Sequence, residues 1–299
     1  MSVAMIARAW RTPLGASIEG AMARLHAGAR AAGVAPIPDE PARSRQSRFL
    51  RRMGLFGLEV ATEALAASGV GGGARVGLFS GVGGLRVYWD DVIAAFAGQR
   101  DDGERMWERG LKDVHPYWML RHLSNNVHAL ASAELDLRGE GATFGGGNAG
   151  AQAIAAASRA LHDGAIDAAL VVAYDSLLEP ETLVELAARG ATAVPGEAAA
   201  ALVLVRDRAG SPRLTARDAA GPGALERCAA LGAGALLVDG PRAAIGAAMG
   251  QLGAATSLVQ AIALAAMLGS GSGSGTGAAL GLAASAPQLA SAVLVEVAA

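Results

Sequence analysis

A glycine-rich turn, Gly145–Gly147, is followed by the single polar residue Asn148 and then by an alanine-rich stretch over 149–161. The short apolar segment before the turn and the helical stretch after it predict a strand, a sharp turn and a buried helix. Glycines allow a crowded backbone at such a turn, and the side chain after them stands at a helix N-terminus, where enzymes often place a Cys or Ser nucleophile. An amide is not nucleophilic, so the identity of residue 148 decides what chemistry the turn can perform.

The same turn also has the dinucleotide-binding pattern Gly145-x-Gly147-x-x-Gly150 between a strand and a helix. Asp175 ends the next apolar stretch, where an acidic residue would hold a ribose. Glycine supplies 41 of the 299 residues, so a chain of this composition produces the pattern by chance. An NAD(P)-binding protein is therefore the alternative interpretation, and no cofactor is expected under the first one.

The remaining metal ligands and nucleophiles do not form a convincing set. The spacing of His115, His122 and His128 does not stack the three imidazoles on one helical face, so no metal site is expected. The only cysteine, Cys228, lies in a predicted helix over 224–231 and is expected to pack as a small apolar residue. No histidine follows Cys228 in the chain, so a displaced thiol nucleophile is not favoured.

Composition narrows the function classes. The net charge of −2 and the pI near 6.2 do not predict a nucleic-acid surface. One cysteine forms no intrachain disulfide, and residues 1–11 lack a long apolar region, so we expect a cytoplasmic protein without a signal peptide. Residues 243–295 contain no charged side chain, but the best window, 252–269, is mostly Ala and Gly. A helix buried inside a globular core fits that window better than a membrane span.

The periodicities predict an α/β protein that positions this turn. The predicted strands are a short one before the turn and residues 2–9, 74–80, 168–173, 198–205, 213–219, 235–238, 278–283 and 292–297. The predicted helices are residues 12–30, 53–68, 88–97, 116–135, 149–161, 181–189, 224–231 and 254–268. A turn, an unusually apolar helix and an apolar strand occur twice, over 145–173 and 250–283, which predicts two core helices between sheets.

An ordered series of motifs resembles the β-ketoacyl synthase family of condensing enzymes. The motifs are SGVGG at 80–84, HPYWML at 115–120, LRGEGAT at 137–143, GNAGAQAI at 147–154, GAIDAALVVA at 164–173 and PGEAAAALVL at 195–204. The resemblance implies a thiolase-like fold with two pseudo-repeated halves in α-β-α-β-α layers. We expect the first, ketosynthase-like half at residues 1–210 and a shortened second half at 211–299.

The resemblance breaks down at the catalytic positions. In the family, a Cys attacks the acyl thioester, and two His residues assist decarboxylation and stabilise the oxyanion. The Cys position falls on Asn148, the first His region contains Asp239, and the second contains Ala247 or Gln251 instead of His. These groups act as a unit, so the loss of all three predicts lost chemistry. Such sequences resemble the chain-length-factor subunits of type II polyketide systems and related aryl-polyene-type synthases.

Subunits of that type pair with an active ketosynthase through a sheet that continues across the dimer. The resemblance places this interface around 141–147 and the preceding helix, 125–135, and a homodimer is the other form expected. The interface residues predicted are Asn125, Asn126, His128, Thr143 and Phe144. An acyl carrier protein is a further possible partner for the arginines 43, 45, 48, 51 and 52. A condensing enzyme with displaced catalytic groups stays open as another alternative.

Overall fold

The computed structural model describes residues 1–42, 45–83, 91–93, 95, 112, 114–224, 227, 239–269, 275–282 and 289–297. The strands are β1 (Ser2–Arg11), β2 (Val76–Val82), β3 (Gly141–Gly145), β4 (Ala168–Ser176), β5 (Glu197–Val205), β6 (Arg213–Ala220), β7 (Gly275–Leu282) and β8 (Leu289–Val297). The helices are α1 (Ile18–His26), α2 (Arg52–Ser68), α3 (Trp118–His122), α4 (Asn126–Glu134), α5 (Ala149–His162), α6 (Pro180–Ala188), α7 (Asp239–Met249) and α8 (Thr256–Gly269).

The described strands form one mixed sheet in the order β3-β2-β4-β5-β1-β6-β8-β7. β3, β2 and β4 are parallel, and every other neighbouring pair is antiparallel. β4 and β5 pair along their whole length, from Ala168 opposite Val205 to Ser176 opposite Glu197. Both strands are almost continuously apolar, as expected where helices or strands cover both faces of a sheet.

Alternate residues of β4 enter two separate apolar cores. Leu170 and Val172 face the core that α2 covers, together with Phe56 of that helix. Val171 faces the other core, which contains Ile154 of α5 and residues of α8. This period of two follows from the pleat of the strand.

The two alanine-rich helices lie between two parts of the sheet. α5 packs against β2, β3 and β4 on one side and against β6 and β8 on the other. α8 likewise contacts β5 and also β7 and β8. The described residues therefore form four layers. In order, these are α2 with α4, the part of the sheet from β3 to β1, α5 with α8, and the part of the sheet from β6 to β7. Both helices are enclosed on two sides, which explains why most of their residues are buried and apolar; the exposed part of α5 carries Arg159.

One predicted helix is shorter than expected, and another is divided in two. The helix predicted over 12–30 is α1 alone, because Gly15 takes a φ of +97° and Thr12 Oγ1 donates to the Gly15 carbonyl at 3.1 Å, closing a turn. Ser17 then caps α1 by accepting a hydrogen bond from Gly20 N at 3.1 Å.

The helix predicted over 116–135 is two helices, α3 and α4. Leu123 adopts an extended backbone with ψ 128°, and the Asn126 side chain donates to the Arg121 carbonyl at 3.2 Å. Ser and Asn side chains compete for backbone groups in this way and favour helix ends over helix interiors.

Some sequence predictions cannot be compared with the structure. The helix over 224–231 with Cys228, the strand over 235–238 and most of the helix over 88–97 lie outside the described residues. Within the part of the chain that is described, no helix has the length and apolarity needed to cross a bilayer.

Candidate functional site

Asn148 lies where the sequence predicts it, at the start of the buried helix. It is the N-cap residue of α5, with φ −103° and ψ 8°, and only 4% of its surface is exposed. Gly146 makes the turn before it with a φ of +108°, a conformation that favours glycine. The residue thus stands at a helix N-terminus, as predicted, and is enclosed by the protein.

The Asn148 amide is bound to the last strand of the sheet. Its Nδ2 donates a hydrogen bond to Ser291 Oγ at 2.9 Å, and Ser291, in β8, has no exposed surface. The side chain does not cap its own helix, so its hydrogen bond connects α5 with β8. Sequence reasoning did not find Ser291, although a lone serine among the apolar residues of a buried strand was an available signal.

Glycines bring three backbone segments together around the start of α5. A Cβ atom on Gly81 of β2 would lie 2.7 Å from Gly150 N, and one on Gly150 would lie 2.5 Å from the Ala254 carbonyl oxygen. Real Cβ atoms do not approach backbone atoms so closely, so β2, α5 and the short 3₁₀ turn Gly253–Ala255 pack with no room for a side chain.

Asp175 is a buried carboxylate beside the same turn. Its Oδ2 accepts a hydrogen bond from Ala254 N at 3.0 Å, and it fills the space against Gly83 and Gly253, where any Cβ would overlap it. In the dinucleotide alternative, Asp175 would have to reach a ribose. Because the carboxylate is buried and bonded to the protein backbone, the geometry does not support that alternative.

Among the described residues, no hydrogen bond joins Asn148 to the two regions that were predicted to replace the family's histidines. Asp239 begins α7, and Ala247 lies in the same helix, where its carbonyl accepts from Ala31 N at 2.8 Å. Gln251 is exposed and forms a backbone bridge with Pro195. The hydrogen bond of the Asn148 side chain goes to a serine, and no described imidazole is bonded to it.

His128 lies between α4 and the edge of the sheet. Its Nδ1 is 2.9 Å from the hydroxyl of the buried Ser80 in β2, and its ring lies over Gly141 of β3. Burial lowers the pKa of His128 from its ordinary value and so favours the neutral ring. The described residues contain no group of three or more His, Cys, Asp or Glu arranged to hold a metal ion.

The predicted interface residues surround an open edge of the sheet. β3 pairs with β2, and its other edge has no neighbour among the described strands. Thr143 and Phe144 of β3 are half-buried, Asn126 and His128 of α4 are half-buried, and Asn125 is exposed. Large apolar side chains are also exposed in and beside α3, namely Tyr117, Met119, Leu120 and Leu123.

A small polar cavity of about 50 Å³ lies between α2, α3 and the ends of β2 and β4. Arg51 and Arg121 line it, and each guanidinium bonds the buried Asp91 carboxylate, at 2.9 Å and 3.0 Å. Arg52, next in the arginine-rich segment, is held elsewhere by Glu197 at 2.5 Å. These three arginines of the structure therefore have carboxylate partners within the protein.

A family model described as "Beta-ketoacyl synthase, N-terminal domain" matches residues 37–209. No curated protein matches the chain.

Solved structures of low sequence identity share the fold. The complex AntDE:AntF, a type II PKS acyl-carrier protein with its ketosynthase bound to the hexaketide, aligns with a TM-score of 0.76 at 16% identity, covering 100% of this chain and 99% of that one. A beta-ketoacyl synthase from Burkholderia phymatum STM815 has a TM-score of 0.75 at 16% identity, covering 99% of both chains. The ishigamide ketosynthase/chain length factor has a TM-score of 0.73 at 14% identity, covering 100% of both chains. These likenesses confirm the predicted thiolase-like α/β fold.

Proposed function

Because the chain belongs to the β-ketoacyl synthase family, we propose that it is a non-catalytic subunit of chain-length-factor type. In this role it pairs with an active β-ketoacyl synthase in polyketide or fatty-acid-like biosynthesis. One similar structure is named for both kinds of subunit, the ishigamide ketosynthase/chain length factor. The chain has one cysteine, Cys228, which lies outside the described residues. A chain that forms no intrachain disulfide suits the reducing cytoplasm, where we expect the pair to work.

The observation that carries the proposal is the buried hydrogen bond between Asn148 and Ser291. A carboxamide has no nucleophilic atom that could hold an acyl chain as a thioester. The Nδ2 group of this amide also donates its hydrogen bond to a serine on β8, and no histidine in the described part of the chain is hydrogen-bonded to it. We therefore assign Asn148 a structural role, joining α5 to β8, and no role in acyl transfer.

The open edge of β3 supports a partner that continues the sheet. An uncovered strand edge presents unpaired backbone groups, which proteins cover or pair. Thr143 and Phe144 lie on this strand, and Asn126 and His128 lie on the neighbouring helix. The exposed apolar side chains of α3 extend the same surface, as expected for an interface. The active ketosynthase is the proposed occupant, and a second copy of this chain is the competing one.

An acyl carrier protein is the third component that we propose. Arg45 and Arg48 are exposed in the short segment before α2, where their positive charges are accessible to a negatively charged carrier surface, and Arg48 also lies over the Phe49 ring at 4.5 Å. Arg51 and Arg121, by contrast, are bound to Asp91 and belong to the protein's own framework.

Intact-mass spectrometry with malonyl- and acyl-loaded carrier proteins tests the missing chemistry. The purified chain is expected to gain no mass of acyl size, whereas an active ketosynthase with its Cys gains one under the same conditions. A stable acyl adduct would contradict the proposal. Peptide mapping of such an adduct would then identify displaced catalytic groups.

Co-expression with an active β-ketoacyl synthase from the same organism tests the pairing. A 1:1 complex is expected by size-exclusion chromatography with light scattering, and Phe144→Glu is expected to disrupt it by placing a charge at the β3 edge. Val184→Glu controls for the added charge, because Val184 is 69% exposed on α6, outside this surface. Phe144 is half-buried and also packs against the core, so circular dichroism must first show that the Phe144→Glu variant is folded. A monodisperse monomer that ignores the ketosynthase, or a complex insensitive to Phe144→Glu, would argue against this interface.

A further inference from the structure

A separate cavity of about 330 Å³ lies where β1, the start of α1 and the end of α2 meet. β1 lines it with Arg8 and Trp10, α1 with its first residues, and α2 with Glu63. β1 pairs with β6 only from Ser2 to Ala4, so the rest of this strand edge has no neighbour there among the described strands. The cavity is thus built by elements other than those that hold Asn148.

Arg8 is a half-buried cation without a counterion. Among the described residues it makes no hydrogen bond and no ion pair, and burial alone lowers its pKa. Arg11, on the same strand, shows the contrast: its guanidinium binds both oxygens of Glu63 and lies 3.6 Å from Glu59, and the pKa of Arg11 is raised. A partly desolvated charge is costly unless it is paired, so Arg8 favours an anionic partner.

Other groups around the cavity are also donors without acceptors. Ser17 satisfies Gly20 N, but the N–H groups of Ile18 and Glu19 have no acceptor in the described chain. These two groups form the positive end of the α1 helix.

The two carboxylates on the cavity wall do not cancel this preference. Glu63 is neutralised by its contact with Arg11. Glu19 is exposed, so water and salt screen its charge at the rim. The inner wall consequently offers a guanidinium and unbonded N–H groups, which is the donor set that carboxylates and phosphates accept.

We propose that this cavity binds a small organic oxyanion, a carboxylate or a phosphate monoester, with Arg8 as its ion-pair partner and the first turn of α1 as its second donor group. The apolar part of the ligand packs beside Ala16 and Ala67, which line the same cavity and are exposed. The proposal is independent of the pairing function, because it uses none of the residues of the β3 edge or of the Asn148 site.

Isothermal titration of the full chain with benzoate and with phenyl phosphate tests the proposal. Saturable 1:1 binding is expected for at least one probe, and the tighter one identifies the headgroup. Arg8→Gln is expected to weaken binding at least about tenfold, the loss expected for one charge-assisted hydrogen bond. Arg24→Gln, with the same charge change at the far end of α1, is expected to bind like the wild type. No saturable binding of either probe, or equal weakening by both variants, would overturn the site.

A labelling experiment on the wild-type chain avoids any dependence on the folding of the Arg8 variant. Phenylglyoxal modifies accessible guanidinium groups, and the modified peptides are quantified by mass spectrometry. Saturating probe is expected to protect Arg8 and to leave the labelling of Arg24 unchanged. Equal labelling of Arg8 with and without the probe would refute the inference.

Discussion

The buried contact between Asn148 and Ser291 predicts a measurable coupling energy. Ser291→Ala leaves the Asn148 amide without its acceptor, and Asn148→Ala leaves the Ser291 hydroxyl without its donor, and both groups are buried. An unsatisfied buried polar group costs about 1–3 kcal/mol. The double variant leaves neither group unsatisfied, so its loss of stability is expected to be smaller than the sum of the single losses by about 1–2 kcal/mol.

Urea unfolding followed by circular dichroism measures the four free energies of this cycle. One protein concentration must be kept throughout, because association with another copy would shift the midpoint. Ser158→Ala serves as the control: its hydroxyl donates to the Ile154 carbonyl, and it lies roughly 15 Å along α5 from Asn148 at the rise of an α-helix. Asn148→Ala and Ser158→Ala are expected to be additive. Additive losses for Asn148→Ala and Ser291→Ala would refute the reasoning.

Three further predictions follow from the same geometry. Asn148→Cys is expected to yield little condensation product by mass spectrometry, because the thiol would lack the two histidines with which it acts in the family. Robust turnover by this variant would contradict the prediction. Gly253→Ala, whose Cβ would lie 1.8 Å from Asp175 Oδ2, is expected to cost at least about 2 kcal/mol in urea unfolding, whereas Gly246→Ala, with open space around it, is expected to be neutral or stabilising. The pKa of His128 is lowered in the folded state, so the unfolded chain takes up the proton first as the pH falls through about 6.5, and stability is lost on acidification. His128→Gln is expected to reduce the difference in unfolding free energy between neutral and mildly acidic pH; an unchanged difference would contradict the assignment.

The elements around Asn148 were predictable because they are governed by short-range patterns. The apolar runs of β4 and β5 and the alanine-rich helix α5 have the compositions that complete burial requires, and their predicted boundaries differ from the observed ones by at most three residues. The same patterns predicted the buried helix α8 over 254–268, but residues 254 and 255 belong to a 3₁₀ turn and the α-helix begins at Thr256. The division into halves at residue 210 stays a prediction.

The parts that sequence patterns missed depend on contacts between distant segments. Nothing local connects Ser291 with Asn148, since that contact exists only after β8 has paired with β6 and α5 has packed beneath them. Helix α7 was not predicted, because the Asp-Gly-Pro sequence at its start suggests a loop. Proline is tolerated in the first turn of a helix, however, and the residues after Pro241 are mostly good helix formers.

The crowded glycine contacts at Gly81 and Gly150 are independent of the identity of residue 148. They bring α5 against β2 and place the side chain of its N-cap residue, Asn148, between the two parts of the sheet. A nucleophile at that place must be reachable by its substrate, whereas the amide of Asn148 is closed off by its bond to Ser291. If the proposed pairing is correct, changes at Asn148 alter the stability of this chain before they alter any product. Changes at Phe144, on the open strand, then alter assembly with the partner that performs the chemistry.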